Sequence, residues 1–456
     1  MNGFADALDR YFRITERGST IGTELRGGII TFLSMSYILV VNPLILYMDS
    51  GEATMGQLFT ATALAAAISS LLMGLYARLP VALAPGMGLN MFLSMTVCYT
   101  MGFSFNQGLL VVLVSGMAFF VISVTGLRRA ILDTIPKALK VSIAAGIGFF
   151  IALVGMYNAG IIVHGEGSAL ALGDMTDPGV LLALLCITIT LVLWHRNKWY
   201  AVSLGIAVTW VIGLVISHFG VSSDLSPLPS FEGVSLTSTP DFALFGTVFG
   251  GLEGFDMSMA VSFFIAVLSL CIVDLFDTTG TLIGVGASSG LLDEDGNIES
   301  LDKAFAVDSL SSVTGAVCGT SSTTAFIESL TGIQSGARTG LMAIVVGLFF
   351  ILSLAFLGLI TSVTSCCTTG ALVLVGIIML SNLGKVDWND HIGSFTAIVT
   401  IIMMGLTGSI TDGIGFGFIV YAFGSAVSGK AHDVSVTMWV VVALFMAYFA
   451  LINLVN

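Results

Sequence analysis

The sequence has 456 residues, of which 56% are hydrophobic and 9% are charged, and its mean hydropathy is +1.02. This composition leaves too few polar side chains to cover a water-exposed surface, which argues against a soluble globular protein. The formal net charge of -13 argues against nucleic acid as a partner, because polynucleotide backbones are also negatively charged. The composition therefore predicts an integral membrane protein whose partners are membrane lipid, a small solute and another protomer.

The first half of the chain contains a series of apolar stretches, and a helix needs about 20 apolar residues to cross the hydrocarbon layer. Lysines and arginines gather after the second, fourth and sixth stretches, whereas the opposite loops are acidic. Because positive loops stay in the cytoplasm, the N-terminus is predicted to be cytoplasmic. The segment before the first stretch lacks an apolar core and a cleavage site, which argues against a signal peptide. The predicted spans are 27–48, 57–77, 84–100, 107–127, 136–159, 178–195 and 199–218.

The second half continues this pattern after a long polar loop that extends to about Asp256. From Ile392 to the C-terminus the chain is mostly apolar, and short hairpins and full spans give the same pattern there. We predict about fourteen spans in total, and therefore an all-α polytopic membrane protein. The second-half spans before Ile392 are predicted at 259–287, 303–318, 320–335, 338–360 and 363–382.

One span in each half has an interrupted helical pattern. Residues 83–90 are Leu-Ala-Pro-Gly-Met-Gly-Leu-Asn in the third span, and residues 319–325 are Gly-Thr-Ser-Ser-Thr-Thr-Ala in the tenth. Matched interruptions in two halves of a transporter indicate broken helices that meet at mid-membrane, where solutes bind. Close helix packing is the simpler explanation of any one glycine taken alone. Together the two breaks predict two inverted seven-span repeats with discontinuous spans 3 and 10.

Four carboxylates lie inside predicted spans, where an ionisable side chain costs roughly 2.5 to 3.5 kcal/mol on insertion scales. Asp274 and Asp277 are three residues apart, so they point to about the same face of the eighth helix. Two desolvated carboxylates cannot both ionise comfortably, so one is expected to hold a proton near neutral pH. Asp274, Asp277 and Glu328 are the predicted proton-coupling residues. For Asp308, which lies near three serines, a structural hydrogen bond is the favoured interpretation.

The two breaks also carry candidates for binding a neutral heterocycle. Glu328 follows the break in the tenth span, where a carboxylate can accept N–H groups and free backbone amides can bind ligand acceptors. Asn90 adds a carboxamide, which offers a donor and an acceptor in one plane, as in base recognition. Phe92, Phe276 and Phe326 are available for ring stacking, although ordinary packing is the simpler explanation for each.

No catalytic site, metal site or cofactor is predicted. The six cysteines sit mostly inside apolar runs without ligand spacing, and the five histidines fall in loops or at span ends. The acidic run at residues 293–297 is similar to a calcium loop. It lacks the glycine at the sixth position and the acidic residue at the twelfth, so we interpret it as a solvated turn.

Several motifs occur in a specific order along nearly the whole chain. They include Val-Asn-Pro at 41–43, Phe-Asp-Thr-Thr-Gly at 276–280 and Gly-Ala-Arg-Thr-Gly at 336–340, and further motifs at 27–37, 81–90, 307–309, 319–325 and 327–329. Together they resemble the azaguanine-resistance-like branch of the nucleobase:cation symporters, the adenine, guanine and hypoxanthine permeases. The sequence departs from that pattern at 361–369, which is rich in Ser, Thr and Cys where relatives commonly carry Pro and Ala.

This resemblance implies a core domain and a gate domain, and a homodimer as the usual assembly. Spans 1–4 and 8–11 would form the core, at residues 1–130 and 257–361, and the other spans the gate, at residues 131–256 and 362–456. In the family's pattern, the residues matching Asn90, Asp274 and Glu328 contact the purine, and those matching Gly88 and Asp277 tune specificity and coupling. The predicted substrate-binding residues are Asn90, Asp274, Glu328, Gly88, Phe326 and Thr324.

The expected function is proton-coupled uptake of adenine, guanine or hypoxanthine across the cytoplasmic membrane. One alternative is an anion exchanger of the sulfate-permease kind, which shares the fold but should offer a cation where this sequence has carboxylates. A uracil- or xanthine-type permease and a non-transporting sensor are further alternatives. A membrane enzyme acting on lipid would need catalytic pairs or metal ligands at the membrane surface, and the sequence has neither.

Overall fold

The computed structural model is mostly helical, with short strands between some of the helices. The structure describes residues 2–47, 53–125, 135–165, 170–196, 198, 200–230, 239–256, 259–289, 300–356, 358 and 362–455. Within these ranges, nine helical stretches are long and apolar enough to cross a membrane. This confirms the predicted all-α polytopic class, whereas the number of fourteen spans stays a prediction.

The helices of the first half follow the predicted spans closely. Thr54 and Ser104 begin α4 and α6 with capping boxes, in which the hydroxyl accepts from the backbone N–H three residues later. Segments with π-helical hydrogen bonds continue α4 and α5, at Met73–Ala77 and Phe92–Thr100. The helices are α1 (Asn2–Phe12), α2 (Ile21–Met35), α3 (Ile38–Tyr47), α4 (Met55–Leu72), α5 (Met87–Met91), α6 (Phe105–Val124), α7 (Lys137–Asn158), α8 (Pro178–His195) and α9 (Ala201–His218).

The second half contains eight further helices among its described residues. The apolar region after Ile392, which the pattern alone left open, folds into three of them. Short 3-10 segments extend some ends, including Ser381–Lys385 after α14. The helices are α10 (Ala260–Ser289), α11 (Leu301–Cys318), α12 (Ser329–Gln334), α13 (Gly340–Ser353), α14 (Ser365–Leu380), α15 (His391–Thr407), α16 (Ile410–Val427) and α17 (Val436–Val455).

The two interrupted spans meet in a short antiparallel strand pair. Strand β1 (Leu83–Pro85) precedes α5, and β4 (Thr323–Ala325) precedes α12; Ala84 is opposite Thr324. The pairing continues at both ends, because Gly86 donates its N–H to the Ser322 carbonyl and Phe326 donates to the Ala82 carbonyl. Non-helical backbone can exist inside a membrane only where its polar groups are satisfied in this way. The predicted discontinuous spans are therefore confirmed. Two further strands, β2 (Ile162–Val163) and β3 (Ala171–Leu172), form a hairpin between α7 and α8.

The helices form two groups that each combine both halves of the chain. In the first group, α2, α4 and α6 pack against α11, α12 and α13. In the second, α7, α8 and α9 pack against α14, α15 and α16, and the contacts have a two-fold pattern: α7 contacts α15 as α14 contacts α8. This repetition supports the inverted repeat. The division of the chain into a core domain and a gate domain stays a prediction.

Helices α7 and α14 approach each other through glycine. A Cβ atom on Gly148 would lie 2.7 Å from the Gly376 carbonyl oxygen, and one on Gly376 would lie 2.5 Å from the Gly148 carbonyl oxygen. Such distances exclude any side chain at this crossing without movement of the backbone. Along this contact, Gly148 faces Met379 and Gly155 faces Leu372. The two helices therefore run antiparallel.

Candidate substrate site

A cavity of about 610 Å³ lies between the strand pair and the second group of helices. Most of its surface is apolar, but two carboxylates and two lysines are among its lining residues. On the side of the strand pair, the lining includes Tyr37, Gly88, Asp277, Thr324, Phe326 and Glu328. On the opposite side, α7 and α14 with its 3-10 extension contribute Lys140, Ile147, Val375, Met379 and Lys385. The cavity is in the size range of small-molecule sites.

Glu328 is held at the wall of this cavity by a tyrosine from the other half of the chain. The hydroxyl of Tyr37 donates a hydrogen bond of 2.7 Å to Glu328 Oε1. Tyr37 lies in the turn between α2 and α3 and is 3% exposed. A hydrogen bond to a carboxylate is stronger than one between neutral groups, so this contact orients the carboxylate as well as stabilising it.

Four other predicted residues also line the cavity: Asp277, Gly88, Thr324 and Phe326. The Thr324 hydroxyl lies 2.9 Å from the Thr278 hydroxyl, which fixes its direction. A Cβ atom on Gly88 would lie 2.9 Å from Cγ2 of Ile147, so glycine at this position lets α5 approach α7 closely. Gly88 is therefore a contact point between the two groups of helices.

Asp274 lies outside the cavity lining, in a buried polar layer with α11 and the tenth-span break. It is 1% exposed, and its Oδ2 accepts hydrogen bonds from the hydroxyls of Ser312 at 2.8 Å and Ser322 at 3.0 Å. Its Oδ1 has no hydrogen-bond partner within the described residues. The predicted pair is thus divided: Asp277 faces the cavity, and Asp274 faces the hydroxyls behind it.

Asp308, on α11, belongs to the same buried layer and forms hydrogen bonds with both β4 and α10. Its Oδ1 accepts from the backbone N–H of Ala325 at 2.9 Å, and its Oδ2 accepts from the Thr278 hydroxyl at 2.5 Å. The carboxylate therefore satisfies a strand amide that lies inside the membrane. This contact agrees with the predicted structural hydrogen bond.

Asn90 is also buried outside the cavity lining, where it pairs with a second asparagine. Its Nδ2 donates to Asn42 Oδ1 at 2.9 Å, and Asn42 Nδ2 donates to the hydroxyls of Thr62 and Thr320, both at 2.8 Å. Contact between Asn90 and a purine stays a prediction, and in this conformation it would require the asparagine pair to rearrange. Phe92 is fully buried, and the side chain of Phe276 lies outside the described residues.

Sequence reasoning missed the partners that orient the predicted carboxylates. Tyr37 belongs to the motif at 27–37, but its partner Glu328 lies 291 residues away. Ser312 and Ser322 are common residue types in membrane helices, where a hydroxyl often bonds its own helix. The one signal that the sequence offered for these partners was a polar side chain within an apolar run. Within the described chain, no group of three or more His, Cys, Asp or Glu residues could hold a metal ion.

Comparisons with known proteins identify the family of this chain. A family model described as "Permease family" matches residues 22–453. The chain belongs to this permease family. It is therefore an integral membrane transporter, and the alternative of a membrane enzyme is excluded. The nucleobase-permease resemblance stated from the motifs is confirmed.

Several relatives cover nearly the whole permease. The adenine permease AdeQ of Escherichia coli is 40% identical over 98% of this chain and 97% of its own length. The guanine/hypoxanthine permease PbuG of Bacillus subtilis is 38% identical over 97% of this chain and 99% of its own length. The transmembrane domain of the cyanobacterial bicarbonate transporter BicA aligns with a TM-score of 0.59 at 16% identity, over 86% of this chain and 97% of that domain. The last similarity shows the shared fold.

Proposed function

We propose that this permease imports purine nucleobases together with protons across the cytoplasmic membrane. The observation that carries the proposal is the cavity beside the strand pair, where Glu328 is oriented by Tyr37 and faces the same space as Asp277. A neutral purine base has N–H donors for these carboxylates, on the ring and in adenine and guanine also on the amino group, and ring nitrogens that accept hydrogen bonds. The names of relatives at 38% to 40% identity, adenine and guanine/hypoxanthine permeases, support this substrate class.

The proposed cycle uses the division of the carboxylates between the cavity and the layer behind it. Protonation of the Asp274 and Asp277 pair from outside lowers the cost of burying both groups. The base then binds against Glu328, with Thr324 and Phe326 on the strand side and Ile147 on the gate side. Movement of the core, 1–130 and 257–361, against the gate, 131–256 and 362–456, exposes the site to the cytoplasm. Deprotonation there completes release.

The lysines of the lining indicate which side the cavity opens to. Lys140 is near the start of α7, and Lys385 ends the 3-10 extension of α14. Positive residues gather at cytoplasmic ends of spans. In our proposal the described conformation is therefore open to the cytoplasm, with the N-terminus on the same side and a homodimer as the assembly.

Anion exchange is the second candidate, since BicA shares the fold. The charges near the strand pair favour the nucleobase. Asp277 and Glu328 would repel an anion that bound beside β1 and β4, and a buried like-charge contact is costly. An anion exchanger would need a cation or bare helix ends at that place.

The test is uptake of radiolabelled adenine, hypoxanthine, uracil and sulfate into proteoliposomes, with and without an inward proton gradient. We expect accumulation of a purine only with the gradient, and its loss in Glu328→Gln and Asp274→Asn. Asp302→Asn, which changes an exposed carboxylate at the start of α11, is the matched control and should transport normally. Sulfate or uracil accumulation without purine accumulation would contradict the proposal.

A further inference from the structure

The cavity has opposite charges at its two ends. Asp277 and Glu328 lie beside the strand pair, whereas Lys140 and Lys385 lie at the ends of α7 and the α14 extension. Lysines tend to lie at the cytoplasmic ends of membrane spans, and this tendency explains why Lys140 and Lys385 are at helix ends. It does not explain why both line one cavity, because Lys137, one turn earlier on α7, is exposed and is outside the lining.

The geometry of the two helices brings these lysines to the same mouth. Helices α7 and α14 are antiparallel and touch at Gly148 and Gly376. Lys140 comes eight residues before that crossing, about 12 Å along α7, and Lys385 comes nine residues after it, about 16 Å along α14 and its 3-10 extension. Because the two helices are antiparallel, both lysines lie on the same side of this crossing, and both line the cavity. Lys385 Nζ also donates to Asn382 Oδ1 at 2.9 Å, and Asn382 lines the cavity too.

The distance from the base end to the mouth can be estimated along α7. Ile147 contacts Gly88 at the base end, and Lys140 is seven residues earlier, so it lies on about the same face of the helix and about 10 Å away along the axis. A cavity of about 610 Å³ is much larger than a planar base. A base bound against Glu328 therefore leaves the volume between Ile147 and the lysines unfilled. This space suits a sugar carrying a phosphate.

We propose that the mouth of the cavity is a phosphate subsite, through which purine nucleoside monophosphates bind from the cytoplasm and inhibit transport. The inference rests on the proposed function, because the base moiety uses the same site as the transported base. A phosphomonoester carries a charge of about -1.5 to -2 at pH 7, which is opposite in sign to the lysines at the mouth. Asp277 and Glu328 exclude the phosphate from the base end, so only one orientation of the nucleotide fits. Bound nucleotide keeps the gate from closing over the base.

The test uses the full-length permease in proteoliposomes and measures inhibition of adenine transport by AMP on the cytoplasmic side. Adenosine, ribose 5-phosphate and inorganic phosphate are compared at the same concentrations. We expect AMP to inhibit at least about 10-fold more strongly than either adenosine or ribose 5-phosphate. In Lys140→Gln/Lys385→Gln the inhibitory concentration of AMP should rise about 10-fold or more, while that of adenosine should not change. Lys137→Gln, with the same charge change outside the cavity, should keep the wild-type value.

Three outcomes overturn the inference. The first is transport that AMP does not inhibit, and the second is equal inhibition of the double variant and the wild type. Inhibition by inorganic phosphate alone, as strong as that by AMP, also overturns it, because the base would then contribute nothing.

Equilibrium binding of labelled AMP to purified permease separates the two proposals. A wild type that binds AMP through the lysines but moves no purine contradicts the proposed function, whereas one that moves purine without binding AMP contradicts only the subsite.

Discussion

Tyr37 and Glu328, 291 residues apart in the chain, share a hydrogen bond of 2.7 Å at the wall of the cavity. Tyr37 comes from the turn inside the first span, and Glu328 follows the break in the tenth. The direction of the candidate ligand carboxylate therefore depends on a side chain of the opposite repeat. This relation makes the first span part of the candidate site.

Tyr37→Phe should weaken substrate binding without unfolding the permease. The substitution removes only the hydroxyl, and the carboxylate loses one donor. A hydrogen bond to a charged group contributes about 1.5–3 kcal/mol, so KM for the base should rise roughly 10- to 100-fold. The measurement is the concentration dependence of uptake in proteoliposomes. Tyr11→Phe, which removes a hydroxyl bonded to the Leu75 carbonyl at the surface, is the control. An unchanged KM in Tyr37→Phe would show that Tyr37 has no part in binding.

Gly88→Ala should slow transport because it crowds the contact between α5 and α7. The new methyl group would lie 2.9 Å from Cγ2 of Ile147, which is closer than normal van der Waals contact. Ile147→Ala removes that atom, so the double variant should recover most of the lost uptake. The coupling between the two sites is read from a double-mutant cycle on initial rates. Additive losses in the cycle would contradict a direct contact during transport.

Asp308→Ala should destabilise the fold because it leaves the Ala325 N–H without an acceptor inside the membrane. A buried donor left unsatisfied costs about 1–3 kcal/mol, and the carboxylate bond to Thr278 is lost as well. We expect a lower midpoint of thermal unfolding in detergent. Ser309→Ala, on the next residue, removes a hydroxyl that bonds only carbonyls of its own helix and should change the midpoint little. Equal midpoints for the two variants would disprove the structural role of Asp308.

Asp177 should make part of the stability depend on pH. Burial opposes its ionisation, but hydrogen bonds from the Ser223 hydroxyl and from backbone N–H groups hold its pKa below the usual value. A depressed pKa contributes stability above the unfolded-state pKa, and that contribution is lost as pH falls through the folded-state pKa. As the N-cap of α8, the side chain is worth about 1 kcal/mol. The thermal midpoint of wild type should therefore fall more steeply than that of Asp177→Ala when pH is lowered below 4, and parallel curves would contradict this.

The predicted breaks were accurate because they depend on local chemistry. Proline and glycine at 85–88 and the hydroxyl run at 320–324 disfavour a continuous helix, and the structure has strands at 83–85 and 323–325. The predicted cavity residues Gly88, Thr324 and Glu328 follow directly from those breaks. Helix boundaries followed from hydropathy for a similar reason, since a span has a fixed length.

The orientation of the polar side chains could not be predicted in the same way. Asp274 and Asp277 are three residues apart, but a helix turns by 300° over three residues, and this difference of 60° divides them between the hydroxyl layer and the cavity. Asn90 bonds Asn42, a residue whose position depends on how α3 packs against α4. Such pairs join distant segments, and a single sequence has no local signal for them.

The strand pair between β1 and β4 also has a consequence for synthesis. The Leu83 backbone bonds the Ser70 hydroxyl within the first half, but Ala84 leaves the ribosome long before its strand partner Thr324. Unsatisfied backbone groups in lipid cost several kcal/mol each. The third span therefore stays in contact with water or a chaperone at first. It reaches its final depth in the bilayer only after the tenth span has been inserted. The centre of this permease consequently assembles after membrane insertion, even when the outer helices enter the bilayer early.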